Sequence, residues 1–253
     1  MDLHLGVATG LALLGVPVGA FLNVVIERTP DRTPLRVARE GDAFPAAAWL
    51  GVPVQPWILR GPGPRRRRWL AVEVATALVF GALGARYGDS SVVLPLLLLG
   101  ACLVAVSAVD LEHLRIPDRI TFPTLAVALP AVAVVSLRLE VGDAIRGALV
   151  GSATYFVILL LPHLAYPRGM GFGDVKLALV MGLYLGWMGW TQSTPITGPV
   201  RLVLYALMLG CLLGVVFGLV HAAVTRRRGE FPFGPALALA CLVVIFFAPD
   251  LRI

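Results

Sequence analysis

Long apolar runs alternate along the chain with short polar turns, and the runs are too long and too many for the core of a soluble domain. Eight stand out: residues 4 to 27, 69 to 87, 91 to 109, 119 to 137, 142 to 163, 174 to 190, 201 to 224 and 234 to 249. Most approach the ~20 residues that a helix needs to cross a bilayer. The pattern predicts an all-α polytopic membrane protein with about eight transmembrane helices, of which the sixth and eighth are short. Residues 1–253 read as one membrane-embedded domain with a single long polar stretch, rich in Arg and Pro, at about 28–68. That stretch is expected to be irregular and apposed to the membrane. The first run holds Asn23 and is followed by no small-residue cleavage site, so it reads as a retained helix rather than a signal peptide.

Composition agrees: 58% of residues are hydrophobic, 14% are charged and the mean hydropathy is +0.86. A net charge of +6 and a pI near 9.8 would suit a nucleic-acid binder, but the placement of the basic residues argues for topology instead. Sixteen of the 21 lie in one set of loops: Arg28, Arg32, Arg36, Arg39, Arg60, Arg65 to Arg68, Arg115, Arg119, Arg168, Lys176 and Arg226 to Arg228. The opposite set holds five, Arg86, Arg138, Arg146, Arg201 and Arg252. The positive-inside rule makes the richer set cytoplasmic and puts both termini outside. Membrane lipids, not nucleic acid, are the partners this charge implies; the run Arg65 to Arg68 is suited to anionic lipid.

Two aspartates interrupt the apolar pattern where a bland account runs thin. Asp110 lies near the end of the third run, ahead of Ile116-Pro117-Asp118. Asp174 follows the glycines of Gly169-Met170-Gly171-Phe172-Gly173 and opens the sixth run. Pro117 fits a helix start and Asp118 a first-turn charge. Asp174 has an ordinary reading as a helix N-cap, whereas Asp110 has none. Two runs separate the aspartates, and an even number of crossings puts both on the cytoplasmic side. Ionisable groups in a membrane are costly and usually functional. Two carboxylates held close share a proton; one can then take a proton from water while the other polarises a peptide carbonyl. The glycines, Gly171 and Gly173 among them, tolerate positive φ and let a substrate backbone approach Asp174. Two further groups have packing accounts beside functional ones. Asn23 suits a hydrogen bond between helices. Glu73, about one turn into the second run, reads more simply as a snorkelling interfacial side chain than as a functional carboxylate.

At this point four segments carry a resemblance. They are Gly19-Ala20-Phe21-Leu22-Asn23-Val24-Val25, Asp110 with Ile116-Pro117-Asp118-Arg119-Ile120-Thr121, Gly171-Phe172-Gly173-Asp174-Val175-Lys176-Leu177, and Pro232-Phe233-Gly234-Pro235. In this order the chain resembles the type IV prepilin peptidases, membrane aspartic proteases that process prepilins and type II secretion pseudopilins. The resemblance implies a catalytic pair, Asp110 and Asp174, that removes a short basic leader at the cytoplasmic face of the bacterial inner membrane. It places Gly171, Gly173, Lys176, Glu73, Asn23 and Asp118 as substrate-binding or supporting residues. It also implies N-methylation of the new N-terminus with S-adenosylmethionine, while the peptidase itself needs no cofactor.

The chain departs from many bacterial members of that family, which carry two CxxC pairs in the first cytoplasmic loop. Residues 28–68 hold neither Cys nor His, and Cys102, Cys211 and Cys241 all fall in apolar runs. Zinc, which takes about four N or S ligands, is not expected there, and methyl transfer is less secure than cleavage. Phe44, Trp49, Trp57 and Trp69 are expected to settle at the interface instead. Two other readings compete. The presenilin-like proteases share a GxGD aspartate, and Pro235-Ala236-Leu237 spells their PAL motif, but they place Tyr before the first aspartate where this chain has Val109. A proton-coupled transporter could also use two intramembrane carboxylates, although the chain shows no convincing repeat.

Overall fold

The computed structural model describes residues 4–29, 64–167, 170–225 and 232–250. Among these are eight α-helices and no strand: α1 (Leu5–Arg28), α2 (Pro64–Tyr87), α3 (Val93–His113), α4 (Asp118–Arg138), α5 (Ala144–Ala165), α6 (Phe172–Gly189), α7 (Thr197–Thr225) and α8 (Gly234–Phe247). Each of the eight apolar runs becomes one helix. Six of them, in whole or in part, are long and apolar enough to cross a membrane. The other two are α6 and α8, with 18 and 14 residues. At a rise of ~1.5 Å per residue α6 is about 27 Å long, and it carries Asp174 and Lys176 in its first turns.

One boundary differs from expectation. Helix α2 starts at Pro64, so Arg65 to Arg68 belong to a helix rather than to an irregular segment. Proline suits a first helical position because its φ is already helical and the missing N–H would have had no partner. Residues 30–63 lie outside the described residues, and with them Phe44, Trp49, Trp57 and the expectation about zinc; so do Arg168, Gly169 and Arg226 to Arg228.

The chain divides into two compact units, Met1–Ala108 and Val109–Ile253, with the division inside α3. In the first unit α1 lies against α2 with backbones nearly touching. A Cβ on Gly15 would stand 2.6 Å from Ala77 Cα, and one on Gly19 2.6 Å from Glu73 Cα. Asn23 Nδ2 donates to the Trp69 carbonyl oxygen (3.1 Å), the interhelical role its packing account foresaw. Two expectations fail here. Glu73 is 2% exposed, so it does not snorkel; it stands more than two turns inside α2 because that helix begins early. Trp69 is buried, with its indole N–H donated to Glu27 Oε1 (3.1 Å) rather than lying free at an interface. Arg68 Nη2 joins the same carboxylate at 2.6 Å, so this member of the basic run pairs within the protein.

In the second unit α6 is the central element. Of residues 177–189 all but Leu179 are buried, and α4, α5, α7 and α8 all touch it. A helix that is apolar on every side belongs in such a position. Its closest neighbour is α5, on which Gly147 and Gly151 face Gly182 and Gly186. A Cβ on Gly186 would stand 2.8 Å from Gly151 Cα, and one on Gly182 2.8 Å from Ser152 Cα. Small residues on both sides allow this approach, as they do between helices in lipid. Polar cross-links complete the packing: Ser152 Oγ donates to Leu179 O, and Trp187 Nε1 to Ser136 Oγ, each at 2.9 Å.

Candidate active site

Asp110 occupies the last turn of α3, whose end is abrupt. The Leu114 N–H closes on the Asp110 carbonyl oxygen (2.9 Å), and Leu114 has a φ of 51°. A branched residue in the left-handed region is uncommon and costs roughly 1–2 kcal/mol. The turn sends the chain into Ile116 and Pro117, which is the N-cap of α4 in an extended conformation. A residue before proline is steered to extended backbone, and Ile116 accordingly becomes a wedge on which two distant segments close.

The first is the start of α6. A Cβ on Gly173 would stand 2.7 Å from Ile116 Cβ. Gly173 is therefore required by close approach rather than by a special φ, and Gly171 needs neither, since it is extended at φ −66°. Gly171 is the helix N-cap, with Asp174 three residues on inside the first turn. The capping account of Asp174 thus fails, and its buried carboxylate is left without a local structural use. The second segment is the start of α8. A Cβ on Gly234 would stand 3.4 Å from Ile116 Cδ1 and 2.8 Å from Asp110 Oδ2. The Gly234 N–H donates to that same oxygen at 2.9 Å.

The result is a pair of buried carboxylates, Asp110 at 5% and Asp174 at 8% exposure. Asp110 is near enough to act electrostatically on Asp174. Asp174 Oδ1 is buried with no hydrogen-bond partner among the described residues, which is unusual for a buried polar atom and calls for an explanation. Of the other candidates, Lys176 and Asp118 form an ion pair at 2.6 Å at this end of α4 and α6, beside Gly171 and Gly173. Asp118 is therefore more than a first-turn charge. Asn23 and Glu73 lie in the first unit, at the α1–α2 contact.

Sequence reasoning missed three contributors. Ile116 and Gly234 were visible only as members of motifs, although a Gly-Pro pair at a helix start places a backbone N–H among the donors that a helix leaves free. His163 had no signal at all: its Nδ1 lies 2.9 Å from the Met170 carbonyl oxygen, and its ring packs 5.2 Å from that of Phe172, steadying the entry to α6.

Comparison with known proteins gives the family of the chain. Residues 97–219 match the type IV leader peptidase family. A prepilin leader peptidase/N-methyltransferase of Stutzerimonas stutzeri is 31% identical, over 94% of this chain and 90% of its own length. The chain belongs to the type IV leader peptidase family. Proteins with the same name from Xanthomonas campestris pv. campestris and Pseudomonas aeruginosa are 28% and 29% identical, over 99% and 94% of this chain and 95% and 90% of theirs. No solved structure matches the chain. As a leader peptidase it is an enzyme, and its apolar helices make it a multi-pass membrane protein. The family match runs from α3 into α7 and so includes Asp110, Ile116, Asp118, Gly173, Asp174 and Lys176.

Proposed function

We propose that the protein is an aspartic endopeptidase that removes the short basic leader of type IV prepilins or pseudopilins, with Asp110 and Asp174 as its catalytic pair. The observation that carries this reading is the burial of two carboxylates from separate motifs, Asp110 and Asp174, whose segments close on the Ile116 wedge through Gly234 and Gly173. A membrane-embedded carboxylate is costly unless used. A pair that shares one proton can activate water and polarise the scissile carbonyl without a covalent intermediate. The presenilin-like and transporter readings lose their motive, because the relatives are named as prepilin leader peptidases and match over nearly the whole chain.

The basic bias of one loop set supports an active site at the cytoplasmic face of the inner membrane, where a basic leader is retained. Type IV pili and type II secretion are the systems such substrates serve. The relatives' second name implies methyl transfer from S-adenosylmethionine, which supplies an electrophilic methyl on a sulfonium cation. The buried Glu73 carboxylate and Asn23 Oδ1, buried without a partner among the described residues, have the chemistry to face such a cation. The deciding assay is release of the leader from a prepilin by purified enzyme. Asp110→Asn and Asp174→Asn should each abolish it with the protein still accumulating, and the double variant should be little worse than either, as for residues that act as a unit. Near-normal turnover by either single variant would overturn the assignment.

A further inference from the structure

The two aspartates are not equivalent in this structure. Asp110 Oδ2 accepts the Gly234 N–H at 2.9 Å. Gly234 opens α8, and Pro235 follows it. The first N–H groups of a helix have no intrahelical partner, and the positive end of the helix dipole favours an anion there. The absent side chain of Gly234 is a condition of this contact, since a Cβ would stand 2.8 Å from the accepting oxygen. The donor is also held from behind. The Phe233 ring lies directly over Gly214 of α7, so the start of α8 is seated on a neighbouring helix. Asp174, by contrast, has a buried Oδ1 with no partner among the described residues. It too stands in the first turn of a helix, but no backbone N–H among the described residues reaches this oxygen. The nearby charges of Lys176 and Asp118 are spent on one another.

A hydrogen bond to the ionised form of a carboxylate favours that form, and its absence in a buried site favours the neutral acid. We propose that the Gly234 amide is a positioning donor that makes Asp110 the proton-accepting member of the pair and leaves Asp174 carrying the proton. This rests on the reading of Asp110 and Asp174 as the catalytic dyad. Asp110 then takes a proton from water as the water oxygen bonds to the scissile carbonyl carbon, and the Asp174 proton passes to the carbonyl oxygen. In the second half Asp110 returns its proton to the amide nitrogen and the C–N bond breaks. One hydroxyl proton of the tetrahedral intermediate goes back to Asp174. The products are an acid and an amine, and the dyad ends as it began.

The test removes only the donor: Gly234 is replaced by glycolic acid in the full-length enzyme, which exchanges the N–H for an ester oxygen and adds no side chain. A hydrogen bond to a charged group is worth about 1.5–3 kcal/mol, so kcat on a prepilin should fall about tenfold or more with KM unchanged. Gly234→Ala should lose as much by displacing Oδ2. A second measurement needs no variant at Gly234. A substrate-like peptide bearing an epoxide is opened by the ionised carboxylate, and peptide mapping should find the ester on Asp110. A glycolate enzyme within twofold of wild-type kcat, or an ester on Asp174, would overturn the proposal. If Asp110→Asn and Asp174→Asn are both inactive while the glycolate enzyme is normal, only this assignment falls. If either Asn variant is active, the dyad falls with it.

Discussion

Lys176 Nζ stands 2.6 Å from Asp118 Oδ1 and 2.9 Å from Oδ2, so the start of the helix that carries Asp174 is tied to the first turn of α4. The ammonium is flanked by the rings of Phe122 and Phe172, with centroids 5.7 and 5.0 Å away. Asp118 is more than half exposed, and an ion pair so placed contributes under about 1 kcal/mol to stability. Its consequence is orientation, since Lys176 lies two residues beyond Asp174 and Asp118 two beyond the Ile116 wedge.

Loss of that tie should therefore appear in catalysis before stability. Asp118→Asn and Lys176→Met are expected to lower kcat by about 3- to 10-fold through misplacement of Asp174, with little change in thermal unfolding. Exchanging the charges, Asp118→Lys with Lys176→Asp, should recover part of the loss. Unchanged kcat in both single variants would reduce the pair to a surface feature.

The α5–α6 contact makes the opposite prediction. A methyl group at Gly186 would fall 2.8 Å from Gly151 Cα and closer still to the Gly147 carbonyl oxygen, so the helices must part. Gly186→Ala should cost about 1–3 kcal/mol, the range for overpacking, and lower the unfolding temperature in detergent. Gly6→Ala is the control, because its added Cβ meets nothing within 4 Å beyond its chain neighbours and its own helix backbone. Equal unfolding temperatures for the two variants would contradict the close packing.

Much of this was legible in the sequence because the hydrophobic pattern is strong. Each apolar run became a helix, and the even number of crossings between Asp110 and Asp174 put them where they could meet. What was not legible depends on partners distant in the chain. Glu73 looked interfacial because the start of α2 was read at Trp69 rather than Pro64. Asp174 looked like a cap because Asp is a preferred residue at that position, and only the position of Gly171 shows otherwise. The Asp118–Lys176 pair links residues 58 apart, and the use of Gly234 depends on a donor 124 residues from its acceptor. Neither spacing leaves a periodic trace.

The topology drawn from the basic residues yields its own test. Single cysteines at Leu50 and Arg228 should react with an impermeant thiol reagent only when the cytoplasmic side is accessible, and one at Glu140, between α4 and α5, should react from outside. The native Cys102, Cys211 and Cys241 are first replaced by Ala. Labelling of position 50 from outside would invert the arrangement and separate the dyad from the side on which a basic leader is held.

Cleavage by the proposed dyad and any methyl transfer can be separated by a final experiment that turns on the polar stretch. Residues 28–68 contain no Cys and no His, so the about four N or S ligands of a structural zinc are not available within it. In the proposed mechanism, proton transfer between water, Asp110, Asp174 and the scissile amide calls on no Lewis acid. Leader release is accordingly expected to persist in strong chelators, with no stoichiometric zinc in the purified protein. Methyl transfer from S-adenosylmethionine should be weak relative to cleavage if it depends on the CxxC pairs that this stretch lacks. Mass spectrometry of the cleaved substrate, with and without the methyl donor, reads both activities in one reaction. Stoichiometric zinc whose removal stops cleavage would sink the zinc-free account. A fully methylated new N-terminus would instead show that the second reaction does not need those cysteines and would direct attention to Glu73 and Asn23, which are buried at the α1–α2 contact.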